Sequence, residues 1–335
     1  MVFSMLCLGS WANTYKAAGG WRFELYYFDF SFGVVVGAAI LAFTVGSMGF
    51  DGFTFLDDML HAGKRQWFYA FTAGVVFNLA NMLLMGGIAV AGMTVAFPTS
   101  AGLALIAGVL IGRFQKPTGN PLMAFTGCVL ILVAILVAGA AYRFINEIRH
   151  EVRARAGKAK STRRPVAVKG VVISLLSGAL MAGCYPLLAK AKEGEAGLGP
   201  YSVAMIFAGG AFLSTFVFNL FFMNLPIEGE PVDFMEYFQS SPRAHGLALL
   251  GGVIWCLGAV AAFVAASADS VHIAPSFSYG LSQAPALIAV LWGTLVWKEF
   301  KDGDARTKSM IGLMFILFTV GVTLVSLAQA IVRRA

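Results

Sequence analysis

Asn78 and Asn81 stand three positions apart inside a long apolar run. Each carries a flat amide with two donor hydrogens and one acceptor oxygen. Residues at i and i+3 share a helix face, so the two amides point the same way and suit the amide and carbonyl edges of a flat heterocycle. Their competing role is hydrogen bonding between helices, equally common for Asn in apolar spans. A second polar patch, Ser276, Ser278, Tyr279, Ser282 and Gln283, lies between Pro275 and Pro285. Prolines there release backbone groups for hydrogen bonding. Trp11, Tyr185 and Trp255 offer rings that could stack on such a solute; packing against the core or lipid is the alternative for each. Asp29 sits among apolar neighbours, which raise a carboxyl pKa, and is the carboxylate best placed to carry a proton. The rival is an Asp at a helix start, stabilised by the helix dipole. Asp269 and His272 fall in a short turn, where capping explains them.

These residues sit in a chain built for a bilayer. Of its 335 residues, 59% are hydrophobic and 12% charged, with a mean hydropathy of +0.78. A soluble domain of this size needs far more charge, and apolar runs long enough to cross a membrane recur along the chain. The net charge of +7 is not a nucleic-acid signal, because nine of the 24 Lys and Arg lie in one connector, Arg143 to Lys169. Cys7, Cys128, Cys184 and Cys256 lack metal-ligand spacing and read as small packing residues. No basic segment precedes the first apolar run, so no cleavable signal peptide is expected.

Ten spans are expected, near 1–12, 26–48, 66–90, 93–113, 121–145, 168–190, 201–223, 244–267, 272–297 and 308–332. The first is short, and its helix is expected to fall at least a turn short of the sixth, as if residues were missing at the start. The second half echoes the first. Ala73 to Ala80, AGVVFNLA, answers Gly251 to Gly258, GGVIWCLG, at an offset of 178. Pro98 answers Pro275, Gly102-Leu103 answers Gly280-Leu281, and Gly9 to Lys16 answers Gly183 to Lys190. A repeat of five spans inserts with its twin inverted, a plan found in secondary transporters with the site near midplane. The expected fold is therefore all-α and polytopic, with ten transmembrane helices in two inverted five-helix repeats, 1–145 and 168–335. A basic connector, 146–167, joins them. About two-thirds of the 24 Lys and Arg lie on the connector's side. The positive-inside rule thus places the connector in the cytoplasm and both termini outside.

Met5 to Asn13, MLCLGSWAN, resembles the first helix of the ureide permeases, plant-type transporters of allantoin and related nucleobases. Tyr27 to Ser31, YFDFS, and the turn from Lys116-Pro117 to Asn120-Pro121 resemble that family too. The likeness is clearest over the first 145 residues, and the ten-helix plan follows it throughout. It implies the drug/metabolite transporter superfamily, near the bacterial glucose/ribose and rhamnose carriers. Plant members carry a large central loop with a phosphate-loop-like motif. Here the connector is short and has no GxxxxGK[ST], so nucleotide binding does not carry over.

Together these features predict a secondary carrier in the cell (inner) membrane, moving a ureide or nucleobase such as allantoin or uracil with a proton. The expected substrate-binding residues are Trp11, Asn78, Asn81, Tyr185, Trp255, Ser278, Tyr279 and Gln283, with Asp29 for the proton. No cofactor, metal or nucleic-acid partner is expected. A sugar carrier is the nearest alternative and would want more carboxylates and amides than aromatics. A membrane-embedded enzyme would need clustered acid/base or ligand residues, and the spans contain none. A channel would need a ring-forming selectivity motif.

Overall fold

Apolar runs closed by Gly, Pro and charge become long helices. The computed structural model describes residues 1–49, 53–115, 119–155, 168–267 and 284–330. Its helices, in order, are α1 (Val2–Ser10), α2 (Asn13–Ala17), α3 (Phe23–Phe43), α4 (Phe55–His61), α5 (Lys64–Ala91), α6 (Met93–Gln115) and α7 (Pro121–Arg155). The second half supplies α8 (Lys169–Ala191), α9 (Pro200–Asn224), α10 (Met235–Phe238), α11 (Pro242–Ser267), α12 (Pro285–Leu291) and α13 (Ala305–Ala330). Among the described residues there is no strand. Among the described residues eight helices are long and apolar enough to cross a membrane. Helix α1 has 9 residues against 23 in α8, and Pro285–Val296 forms a shorter apolar helix. Of the expected ninth span, 272–297, the described residues begin at 284. Ser276, Ser278, Tyr279, Ser282, Gln283, Pro275, Asp269 and His272 lie outside the described residues.

Local chemistry sets the boundaries. Pro121, Pro200, Pro242 and Pro285 open their helices, where the missing N–H costs nothing. Thr54 and Asp57 form a reciprocal cap on α4. Gly92 alone separates α5 from α6 at a φ of +83°, a conformation that side chains resist. Helix α3 starts at Phe23 rather than near Tyr26, because Arg22 holds the extended N-cap conformation. Asp29 is consequently almost two turns inside a helix and not at its start.

Packing between the helices relies on small residues, as expected where lipid removes the hydrophobic drive for helix association. Gly33 of α3 lies against the Leu249 carbonyl of α11, and Gly252 of α11 lies against the Phe30 carbonyl of α3. A second crossing has the same form. Gly210 of α9 meets the Phe71 carbonyl of α5, and Gly74 of α5 meets the Phe207 carbonyl of α9. The pairs correspond across the sequence, Gly33 with Gly210 and Gly74 with Gly252, at offsets of 177 and 178. Gly127 of α7 and Gly321 of α13 face each other's backbone in a third close pair. Side chains such as Leu122, Phe125, Val129, Leu132 and Leu136 of α7 are exposed, as suits a lipid-facing surface.

The two ends of the bundle differ. Lys16, Gly92, Arg149 and Glu299 meet at one end, from which the basic connector departs. At the other end Asp58 accepts the Gly199 N–H at 2.9 Å, and the Gly63 N–H donates to the Ala196 carbonyl at 3.1 Å. Helix α3 runs from the connector end, where Arg22 reaches Glu230. Helix α9 runs toward it.

Candidate functional site

A seam of buried polar side chains runs between α5, α9 and α3. Asn78 is fully buried. Its Nδ2 donates to Ser214 Oγ at 2.9 Å, and its Oδ1 accepts from Thr215 Oγ1 at 3.3 Å. Asn81, also buried, donates from Nδ2 to Tyr27 Oη at 3.0 Å. Both amides face the bundle, where satisfying them avoids the cost of unpaired groups in hydrocarbon. They reach different neighbours: Asn78 binds α9, and Asn81 binds α3. One turn beyond Thr215 lies Asn219, fully buried.

Aromatic rings flank this seam. Trp11 packs on Phe30 at 4.9 Å and on Phe97 at 6.1 Å between ring centroids. Phe30 in turn lies 5.1 Å from Tyr27, which links Trp11 to Asn81. Trp255 lies tilted 4.6 Å from Phe77 and parallel to Phe207 at 6.0 Å, beside Asn78 on the same α5–α9 crossing. Tyr185 is placed elsewhere, half exposed on α8. Two indoles hold the end of α1 and the start of α2: Trp292 Nε1 donates to Ser10 Oγ at 2.9 Å, and Trp297 Nε1 donates to Asn13 Oδ1 at 2.6 Å. Trp292 opens a π-helical turn, Trp292–Val296, a departure from α geometry that often accompanies functional sites.

Asp29 lies nearer the connector end, away from Asn78. Its Oδ2 is 2.6 Å from His245 Nδ1, and its Oδ1 accepts the Tyr237 hydroxyl at 2.6 Å. His245 Nε2 lies 3.1 Å from the Tyr237 carbonyl, and Trp21 packs edge-on against the imidazole. Burial, and then the adjoining carboxylate, push the Tyr237 hydroxyl far above its ordinary pKa, so it remains a donor to Asp29. The trio joins α3 to α10 and α11.

A second charged cluster closes the connector end. Glu299 Oε1 accepts the Met93 N–H at 2.9 Å and pairs with Lys16 Nζ at 2.9 Å. Its Oε2 accepts the Thr94 N–H at 2.9 Å and the Thr94 hydroxyl at 2.7 Å. The carboxylate thereby caps α6, where the helix dipole favours negative charge. Arg149 donates to the Glu299 carbonyl at 2.6 Å. Burial alone would raise the Glu299 pKa; the Lys16 ammonium and the Thr94 bonds outweigh it and hold the carboxyl below its ordinary value. A cavity of about 220 Å³ adjoins the cluster, with Tyr142 and Arg149 in its wall. Another, of about 310 Å³, opens at the opposite end beside Arg65, Tyr69 and Lys190.

The sequence reading did not single out His245, Glu299, Ser214, Thr215 or Asn219. Ser214, Thr215 and Asn219 carried a usable signal, since i and i+4 polar positions in an apolar span share a face. His245 and Glu299 sit at span edges, where charge is ordinary. Among the described residues no cluster of His, Cys, Asp and Glu could hold a metal ion, and Cys128, Cys184 and Cys256 are buried free thiols.

Comparison with known proteins fits this architecture. The ureide permease family model matches residues 164–328, in the second half rather than the first 145 residues. Ureide permease 1 of Arabidopsis thaliana is 21% identical, over 96% of this chain and 94% of its own length. Ureide permease 4 of the same plant is 22% identical, over 97% and 94%. No solved structure matches the chain. With residues 164–328 matched by the family model, likeness to named permeases over nearly the whole chain and, among the described residues, eight membrane-length helices, the chain is similar to the ureide permeases and has the helices of a multi-pass membrane protein.

Proposed function

We propose that this chain is a secondary active carrier of a ureide or nucleobase, of which allantoin and uracil are the type compounds. It works by alternating access and takes a proton with the solute. The observation that carries the reading is the likeness to ureide permeases over nearly the whole chain. The drug/metabolite transporter superfamily goes with it. So does the plan of ten helices in two inverted repeats, 1–145 and 168–335, joined by the connector 146–167. Supporting that plan, the Gly33–Gly252 crossing recurs with the halves exchanged as Gly210–Gly74, and the corresponding helices α3 and α9 run in opposite directions. In this reading the connector is cytoplasmic, both termini lie outside, and the cell membrane is the site of action.

Substrate binding is assigned to Trp11, Asn78, Asn81 and Trp255 in the bundle interior, with Tyr185, Ser278, Tyr279 and Gln283 completing the set. Uptake into proteoliposomes of labelled allantoin, uracil and a hexose tests the reading. Accumulation of the first two is expected; accumulation of the hexose alone would make this a sugar carrier. Removing one partner of a buried hydrogen bond costs about 1–3 kcal/mol. Asn78→Ala should therefore lower uptake roughly 5- to 150-fold at low substrate. An equal fall in folded yield would instead mark Asn78 as glue between α5 and α9.

The proton is assigned to Asp29, whose carboxylate meets His245 and Tyr237 across the two halves. Asp29→Asn should leave uptake with little dependence on pH. If the variant keeps the wild-type pH profile, the proton takes another route.

A further inference from the structure

Asn219 is the one side chain among the described residues with both a buried nitrogen and a buried oxygen lacking a hydrogen-bond partner. It is fully buried on α9. Its neighbours on the same seam are paired: Thr215, one turn back, donates to Asn78, and Asn81 donates to Tyr27. Helices α5 and α9 run in parallel, with Gly74 against Phe207 and Asn78 against Ser214. Five positions on from the Asn78–Ser214 bond, that register places Asn219 level with about Leu83, a little over one turn beyond Asn78. A leucine would fill such a position without leaving any polar group unpaired, and an unpaired buried amide is costly.

We propose that Asn219 reads the amide edge of the transported solute, its Oδ1 accepting an N–H and its Nδ2 donating to the adjacent C=O. This rests on the reading of the solute as a ureide or nucleobase. A carboxamide and a cis-amide edge are complementary in both position and polarity, forming two parallel hydrogen bonds. Ureido, imide and lactam groups all present that edge; the hydroxyls of a hexose have no fixed planar pair. Both amide atoms are sealed from solvent in this conformation, so the solute meets them when the surrounding helices move, as alternating access requires. Asn78 and Asn81 then act beside it, already oriented by Ser214, Thr215 and Tyr27.

The test uses Asn219→Leu and Asn219→Ala in the full chain, in proteoliposomes and in detergent. The probes are uracil, 1,3-dimethyluracil, in which methyl groups replace both N–H donors, and a hexose. The wild type should prefer uracil over its dimethyl analogue. Both variants should lose uracil uptake by roughly 5- to 150-fold, from the loss of one binding partner, and should narrow that preference. Their melting temperatures should stay level or rise, because no bond within the protein is lost. Unchanged discrimination in a folded variant overturns the proposal, and so does a lowered melting temperature with discrimination intact. Asn219→Ala decides the matter should the leucine fail to fold. If the wild type moves only the hexose, or no probe, the ureide or nucleobase reading falls first and this inference falls with it. If the wild type moves uracil and the variants do so equally, only this inference falls.

Discussion

Gly252→Ala is expected to lose most of the folded protein, while Gly246→Ala on the same helix is expected to be tolerated. A methyl group at 252 would land on the Phe30 carbonyl oxygen and beside the Val34 nitrogen. Both belong to the backbone of α3 and cannot rotate away as a side chain can. Overpacking a tight core costs about 1–3 kcal/mol and sometimes more; the rigid target puts this site near 3 kcal/mol. That lowers the folded-to-unfolded ratio about a hundredfold. Gly246 has open space around its Cβ position, where Ala improves helix propensity. On α9 the contrast falls between neighbours, with Gly210 pressed on the Phe71 carbonyl and Gly209 open. Monodisperse yield in detergent and melting temperature check all four variants. Equal behaviour of Gly209→Ala and Gly210→Ala would show that the close crossings do not hold the bundle.

The second large effect is expected at Glu299. Glu299→Ala leaves Lys16 without its partner and the first two N–H groups of α6 without their acceptor. Breaking a buried pair from one side costs about 3–5 kcal/mol. The low end applies here, because Lys16 is a quarter exposed and water screens it. The sign with pH follows from the depressed carboxyl. Its folded-state pKa lies below the ordinary 4.5, so its contribution is complete above that value and is lost as pH falls through the folded pKa. Melting temperature should thus be flat through neutral pH and drop in acid, and Glu299→Gln should remove that acid-side drop. A Gln variant with the wild-type acid profile would place the titrating group elsewhere.

Gly252 and Gly74 were visible in the sequence as repeat anchors, yet nothing there said what they touch. Their role appears only when Phe30 and Phe207 bring a carbonyl against them. Asn78 and Asn81 were legible as inward-facing, since amides in apolar helices avoid lipid. Their different partners were not, because Ser214 and Tyr27 lie 136 and 54 residues away. Asp29 shows the limit most clearly. Its neighbours in sequence are Phe28 and Phe30, which suggest an isolated carboxylate, while the fold supplies His245 and Tyr237 from more than 200 residues away.

By itself the sequence determined that this is a membrane protein of many apolar helices, where Pro and Gly open and close several of them, and that it resembles the ureide permeases. Those properties are set by composition and by residues close in the chain: a helix satisfies its backbone locally, and a bilayer needs only length and apolarity to be crossed. The tertiary structure alone decided which polar groups meet. It paired Asn78 with α9, gave Asp29 a histidine, set Glu299 on the start of α6 and left Asn219 without a partner. Each of those depends on how helices distant in sequence cross, and the crossings depend on where a carbonyl can approach a glycine.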